Sequence, residues 1–524
     1  MIPQTAIPTV DVFAGPGGLG EGFARLRRGR QRVYRPALSI EMDPAAHRTL
    51  LLRAFTRRFP DQGLPDAYYD YLRGRLDLDA LYEAHPEQHQ SASAEAWNAQ
   101  LGKAPPAEVR KRIRQALGDA HPWVLLGGPP CQPFSLAGRA RNRQNTRYSE
   151  GKETRHTLYV EYLQIIADFW PAVFVMENVR GLLSARYDGQ PMFDRIRADL
   201  KDPARAIAAI SERGRRHNQT AHAYRLFALS PPPTDRLFDA AADPDFLVRC
   251  ERHGVPQARH RLILLGVRDD VRAEPRRLEP QPPATVGDVL DDLPRLRSGL
   301  SRQDQPDRWH AHFDSVKNES DTPWLTELAE TDPAAHYKVQ RAVLGLSDPP
   351  PDRGGPYALK KRRCGYRPAA RPDWFDDPRL AESPGGPKSR PAVIDHATRA
   401  HRPDDLHRYL FAACFGQAHG RSPKLADFPP SLLPNHRNAG DPGAHTPFAD
   451  RFRVQLAGQP STTVVSHIAK DGHYYIHPDP TQCRSLTVRE AARLQTFPDN
   501  YKFAGTRTQQ YHQVGNAVPP LLAS

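Results

Sequence analysis

Cys131 stands in the stretch GGPPCQPFS (127–135), directly after the apolar run WVLLGG (123–128), which reads as a strand. A lone cysteine is commonly no more than a small buried hydrophobe. This one falls at the C-terminal end of a strand, where open α/β sheets gather their ligands. The prolines around it stiffen the turn and fix the direction of the sulfur. A cysteine placed so is a candidate nucleophile in its thiolate form. Glu177 closes a second apolar run, AVFVME (172–177). Arg259 and Arg261 stand two apart at the start of a third, RLILLGV (261–267), so both side chains point to one face.

A second constellation lies near the N-terminus. DVFAGPGGLGEGF (11–23) places glycines at 15, 17, 18, 20 and 22 between a strand and a helix. Such a loop lets the backbone turn tightly and approach a ligand closely. Glu41, at the end of the next strand and about 25 residues on, is placed to hold ribose hydroxyls. Taken alone, the same pattern also fits a structural turn followed by a surface acid.

These residues need a frame. TVDVF (9–13), PALSIEMD (36–43), WVLLGG, AVFVME and RLILLGV read as strands. EGFARLRR, AAHRTLLLRAF (45–55) and YVEYLQIIADF (159–169) read as helices between them. The alternation predicts an α/β fold with a mostly parallel sheet and helices on both faces. Residues 61–120 interrupt it with polar, helical-looking pieces, and 200–250 with a second insertion. From about 275 the texture changes to Pro-, Gly-, Arg- and His-rich segments of weak periodicity. Order returns near 452, with a helix in SLTVREAARLQTF capped by Thr487.

At 524 residues the chain can build two or more domains, and a hydrophobic fraction of 39% marks it as globular. The formal net charge is +13, spread along the chain. That suits either a solvated basic surface or a polyanionic partner. Five cysteines without CxxC pairs argue against a disulfide framework or a zinc cluster, so no metal is expected, and they fit a reducing cytosolic compartment. No signal peptide is read at the N-terminus, and no run approaches the ~18 apolar residues of a membrane span.

The motifs together resemble the DNA cytosine-5 methyltransferases. The resemblance rests on DVFAGPGGLGEGF, the acid of SIEMD, GGPPCQPFS, MENVRG (176–181), QARHRL (257–262), RSLTVREAARLQTFPD (484–499) and QVGNAVPP (513–520), in that order. The regions that carry them make up about half of the chain, and the rest, 61–120 and about 285–450, is assigned by position only. The resemblance implies a Rossmann-like S-adenosylmethionine-dependent catalytic domain over 1–284, with 61–120 as a helical insertion. It also implies an irregular target-recognition domain over 285–455 and a return to the catalytic domain over 456–524. The last helix is expected to be cut short at PPLLAS.

Residue roles follow from the resemblance. Cys131 adds to C6 of cytosine, so that C5 becomes reactive toward the methyl group. Glu177 reaches the N3 and N4 edge, and delivering a proton there calls for a raised pKa. Asn178 and Val179 shape that pocket. Arg259 and Arg261 hold the base O2, the catalytic carboxyl and a phosphate. Around the cofactor stand Phe13, Ala14, Gly15, Gly17, Gly18, Leu19, Glu41, Met42, Pro129, Leu158, Asn516, Ala517 and Val518. DNA contacts fall to Gln132, Ser135, Arg139, Arg141, Arg143, Arg147, Arg155 and Thr463, most of them in a basic loop that closes over DNA.

Two positions depart from the family pattern. The acid that usually meets the adenine amine is not evident, Asp70 being the nearest candidate, and Ala137 stands where some relatives carry a polar gap-filling residue. The expected partner is double-stranded DNA, with a flipped base, one chain on the DNA, no membrane, and defence-system proteins as a further partner class. Host-DNA marking in restriction–modification or anti-phage defence, in a bacterial cytoplasm at the nucleoid, is the expected setting. The alternatives are a tRNA cytosine-5 methyltransferase, which the large second lobe disfavours, and an inactive DNA-binding relative, which the intact Cys131, Glu177, Arg259 and Arg261 set disfavours.

Overall fold

A computed structural model describes residues 6–29, 31–59, 63–130, 150–187, 189–210, 221–230, 246–317, 322–348, 350–368, 373–382, 389–435 and 449–524, with side chains at 150–157 and 187 excepted. Its centre is one sheet. In spatial order the strands are Tyr224–Phe227, His260–Arg268, Val173–Val179, Val124–Gly127, Ile7–Val12, Tyr34–Glu41 and Ala96–Asn98. The last five are mutually parallel. His260–Arg268 runs antiparallel to Val173–Val179, and Tyr224–Phe227 and Leu247–Arg249 pair antiparallel to it in turn.

Strict alternation explains why these segments are strands. Val10, Val12, Leu125, Phe174, Met176, Leu262 and Leu264 face one apolar layer, with Tyr162, Leu163 and Ile166 of the long helix Glu150–Phe169. Val124, Leu126, Val175, Ile263 and Leu265 face the other, with Leu19 and Val518. Burying each such aliphatic side chain contributes on the order of 1.5–3 kcal/mol, so a one-residue slip would expose a whole layer.

Chain order reverses at Ile7–Val12: the next two strands lie to one side of it and the following two to the other. A crevice opens at the carboxyl ends of the strands at such a switch point. The glycine loop, Glu41, Asn98 and the turn leading to Cys131 all leave from that edge.

Both expected insertions contribute to the sheet. The first holds the helices Asp66–Leu72, Leu78–Glu83 and Pro86–Glu95, and also the edge strand Ala96–Asn98 and the crossover helix Pro106–Leu117. The second carries Tyr224–Phe227 and Leu247–Arg249. These strands are three or four residues long, too short for a periodic signal. The stretch after 285 is more ordered than its composition suggests. Helices Pro306–Ala311, Pro323–Thr331, Pro333–Leu344 and Pro403–His419 each open on a proline, which is pre-organised for a first helical turn. They enclose a core around Trp309, Trp324, Leu410 and Phe411. Thr487 caps Val488–Leu494 in a capping box with Glu490, as its sequence predicts.

Candidate active site

Two strands, and the turn that follows the first of them, build the candidate catalytic side. Gly127 pairs with Met176, so Glu177 lies one residue beyond, beside Gly128. An ideal Cβ on Gly128 would sit 3.1 Å from Glu177 Oε2, so a glycine here leaves room for the carboxylate. Asn178, buried, donates through Nδ2 to the Pro129 carbonyl at 3.2 Å. The chain that carries Cys131 is thereby fastened to the strand that carries Glu177.

Arg261 faces Glu177 for a reason of register. In the antiparallel pair Arg261 lies opposite Val179 and Ile263 opposite Glu177. Diagonal neighbours two residues apart share a face. Arg261 Nε comes to 2.8 Å from Glu177 Oε1, both side chains being nearly buried. Arg261 also donates to the His260 carbonyl at 2.9 Å.

The cofactor side is the glycine loop with the chain ends that cover it. Phe13 (φ 57°), Gly15 (φ 58°) and Gly17 (φ 92°) lie in the left-handed region. Ala14 donates to the Ile40 carbonyl at 3.2 Å, which ties the loop to the neighbouring strand. Space for a Cβ on Gly15 is open, whereas one on Gly18 would fall 2.1 Å from the Val518 carbonyl oxygen. The segment Asn516–Val518 is therefore pressed against the loop, with Ala517 and Val518 buried and Asn516 exposed. Glu41 accepts the Gly15 amide at 2.8 Å and the Asp43 amide at 2.7 Å. Leu19 is buried, Leu158 is half-buried, and Met42 is 56% exposed, unusual for a large apolar side chain.

Beneath the loop Asp11 is 2% exposed, and among the described residues neither of its carboxyl oxygens takes a well-formed hydrogen bond, the Gly20 amide bearing on it only weakly. Burial pushes its carboxyl up to about 7, opposed by the Gly20 amide and reinforced by Glu41. Two acids and an open backbone at one loop fit a ligand that carries positive charge and hydroxyl groups. S-adenosylmethionine is such a ligand.

A family model for C-5 cytosine-specific DNA methylases matches residues 87–202 and 419–524. A Type II methyltransferase of Bacillus paralicheniformis, M.Bpa9945I, is 30% identical over 98% of this chain and 96% of its own length. The chain belongs to the C-5 cytosine-specific DNA methylases. M.AgeI of Thalassovita gelatinovora, also a Type II methyltransferase, is 27% identical over the same shares of the two chains. Among solved structures, a DNA modification methyltransferase encoded within an E. coli prophage is 16% identical, with a TM-score of 0.45 over 99% of this chain and 96% of its own.

In this methylase Cys131, Gln132, Ser135, Arg139, Arg141, Arg143 and Arg147 lie outside the described residues, as do Ala137 and the side chain of Arg155. The other four cysteines are buried, and burial raises the pKa of each thiol, Cys250 and Cys364 to about 12. They are protonated at neutral pH and poor nucleophiles.

Arg259 differs from the expectation that it holds the base. It is 1% exposed and donates to the Val464 carbonyl at 2.8 Å and to the Gly515 carbonyl at 3.4 and 3.5 Å. Gln257 runs beside it, accepting the Val464 amide at 2.8 Å and donating to Gln495 at 3.2 Å. Gln495 in turn donates to the Val514 carbonyl at 2.8 Å. Arg259 thus joins the segment before Asn516 to the segment after Thr463. Thr463 donates its hydroxyl to the Ala258 carbonyl at 2.6 Å.

Asp70 is on the helix Asp66–Leu72, in ion pairs with Arg73 and Arg75, and not at a strand end. The third strand ends instead at Asn98, whose amide donates to the carbonyls of Glu41 at 2.9 Å and Met42 at 3.3 Å. Sequence reasoning missed Asn98 and Gln257. The only local signal for Asn98 was the short AWN run after a polar helix.

Proposed function

We propose that this methylase transfers a methyl group from S-adenosyl-L-methionine to C5 of a flipped cytosine in a specific duplex DNA sequence, leaving S-adenosyl-L-homocysteine. The observation that carries the reading is the Glu177–Arg261 ion pair beside Gly128, three residues before Cys131, on the sheet edge that also bears the glycine loop. When bound, S-adenosylmethionine supplies a methyl group activated by its sulfonium centre.

The chain's own residues do the rest. The Cys131 thiolate gives its electron pair to C6, and a bond forms there as N3 takes a proton held at Glu177. Arg261 keeps the Glu177 carboxyl turned toward the base. Charge moved into the ring makes C5 the nucleophile. After transfer, the C5 proton leaves to water, the C6–sulfur electrons return to Cys131 as the 5,6 double bond reforms, and the N3 proton goes back to Glu177. Arg259 acts as a strut between the walls of the site. Phe13, Ala14, Gly15, Gly17, Gly18, Leu19, Glu41, Met42, Pro129, Leu158 and Asn516–Val518 form the cofactor pocket, with Asn98 at its rim.

Residues 1–284 and 456–524 serve as the catalytic unit and 285–455 as the target reader. Gln132, Ser135, Arg139, Arg141, Arg143, Arg147, Arg155 and Thr463 face DNA. The setting is host-DNA marking in a bacterial cytoplasm, one chain acting on each site, with or without defence-system partners. Among the described residues no helix is long and apolar enough to cross a membrane.

The reading is tested by bisulfite sequencing of DNA from cells expressing the protein or Cys131→Ser. One protected sequence motif is expected with the former and none with the latter. A duplex carrying 5-fluorocytosine at that motif should form an adduct that survives denaturing gels, because fluorine cannot leave as a proton does. Equal methylation by Cys131→Ser would overturn the mechanism.

A further inference from the structure

The sequence Lys360-Lys361-Arg362-Arg363-Cys364 follows the strand Gly354–Leu359 and places four cations in a row. The first behaves unlike the others. Lys360 is fully buried and meets Asp376 at 2.6 Å, Asp499 at 2.8 Å and Asp292 at 3.0 Å. Lys361, Arg362 and Arg363 are exposed, and among the described residues none of them forms an ion pair or hydrogen bond. Asp291 feels the charge of Arg362 without forming an ion pair with it.

The loop is held rigidly. One Asp376 oxygen takes the Lys360 ammonium and the other takes the Cys364 amide at 3.0 Å, so a single carboxylate clasps both ends. Cys364 is buried among Val286, Leu290 and Trp374. Two residues on, the Tyr366 hydroxyl donates to the Gly254 carbonyl. Gly254 precedes Arg259 by five residues.

Adjacent cations repel one another, and a fold that clasps them outward without a direct ion pair leaves that repulsion only partly offset in the free protein, by Asp291. A polyanion relieves it, and a loop already ordered loses little entropy on binding. We propose that Lys361, Arg362 and Arg363 form a preformed phosphate-contacting surface for duplex DNA. The proposal rests on the DNA methylase reading and adds a surface to it. The contacts are to phosphates, so they set affinity and register but not the sequence read.

The test is duplex binding by the full chain across about 50 to 250 mM salt, with S-adenosylhomocysteine present, for the wild type and the triple variant Lys361→Gln/Arg362→Gln/Arg363→Gln. Each lost phosphate contact lowers the log–log salt slope by ~0.9. A slope reduced by about 2 to 3 is expected, with at least tenfold weaker binding at the lowest salt and unchanged S-adenosylhomocysteine affinity. Asp376→Asn, which loosens the clasp and keeps the charges, should weaken binding while the slope persists. Equal slopes and affinities in the triple variant would overturn the proposal, and so would a changed target sequence, since that means base reading. A wild type that neither binds nor methylates duplex DNA would instead overturn the functional reading itself.

Discussion

Asn178 donates its side-chain amide to the carbonyl of Pro129 at 3.2 Å, while its own side-chain oxygen accepts the Val179 amide at 2.8 Å. The side chain therefore spans the gap between two neighbouring strand ends, and the chain reaches Cys131 two residues after Pro129. Asn178→Ala leaves a buried carbonyl without its donor, at a cost of about 1–3 kcal/mol. Methyl transfer in a single turnover at saturating cofactor should fall more than tenfold, with a smaller loss of cofactor affinity, because Pro129 is one wall of that pocket while the glycine loop is on other strands. An unchanged rate would show that the turn needs no such fastening.

Glu177→Gln keeps the shape beside Gly128 but removes the carboxyl group that pairs with Arg261 and exchanges a proton with the base. General acid catalysis of this kind contributes ~10²–10⁴-fold. Turnover should drop by that range with duplex affinity retained. A loss below about threefold would make Glu177 a structural residue.

Arg259 and Arg261 should separate in kinetics. Arg259→Met strands the Val464 and Gly515 carbonyls in the core, and a lower urea midpoint is expected, by roughly 2–4 kcal/mol of stability. KM for both DNA and cofactor should rise more than kcat falls, and Arg259→Lys should recover part of each. Arg261→Met should instead depress kcat, with the urea midpoint less affected. If both variants lose kcat alone, Arg259 touches the reacting base after all.

Asp11 predicts a pH dependence of stability. Its carboxyl is held at about 7 in the folded chain against an ordinary 3.8. Between those values the unfolded chain has released the proton and the folded chain retains it. Stability from this group is full below about 4, declines as pH rises toward 7, and is lost above that, a span worth roughly 4 kcal/mol. Asp11→Asn cannot ionise. Urea unfolding at pH 5.5 and 8.5 should show a smaller loss toward alkaline pH in the variant than in the wild type. Parallel losses in both proteins would mean that Asp11 is ionised throughout.

Much of the site was readable in the chain because it is local. The glycine loop, the proline-flanked Cys131, the acid after each strand and the period-2 alternation of the sheet are patterns within some dozen residues. So is the Thr487–Glu490 cap. The two arginines of QARHR were equally visible, yet nothing local distinguishes them. Arg259 meets carbonyls 205 and 256 residues away, whereas Arg261 meets Glu177 through antiparallel register. The edge strand ending at Asn98 escaped notice for a related reason: three residues cannot show a period, and only pairing with Ser39–Glu41 makes them a strand. The sequence by itself therefore determined the α/β frame and the residues proposed for the chemistry, since both are written in residue type and short-range spacing. Only the tertiary structure decided which guanidinium faces the catalytic acid and which braces the walls, because those partners are chosen by long-range packing.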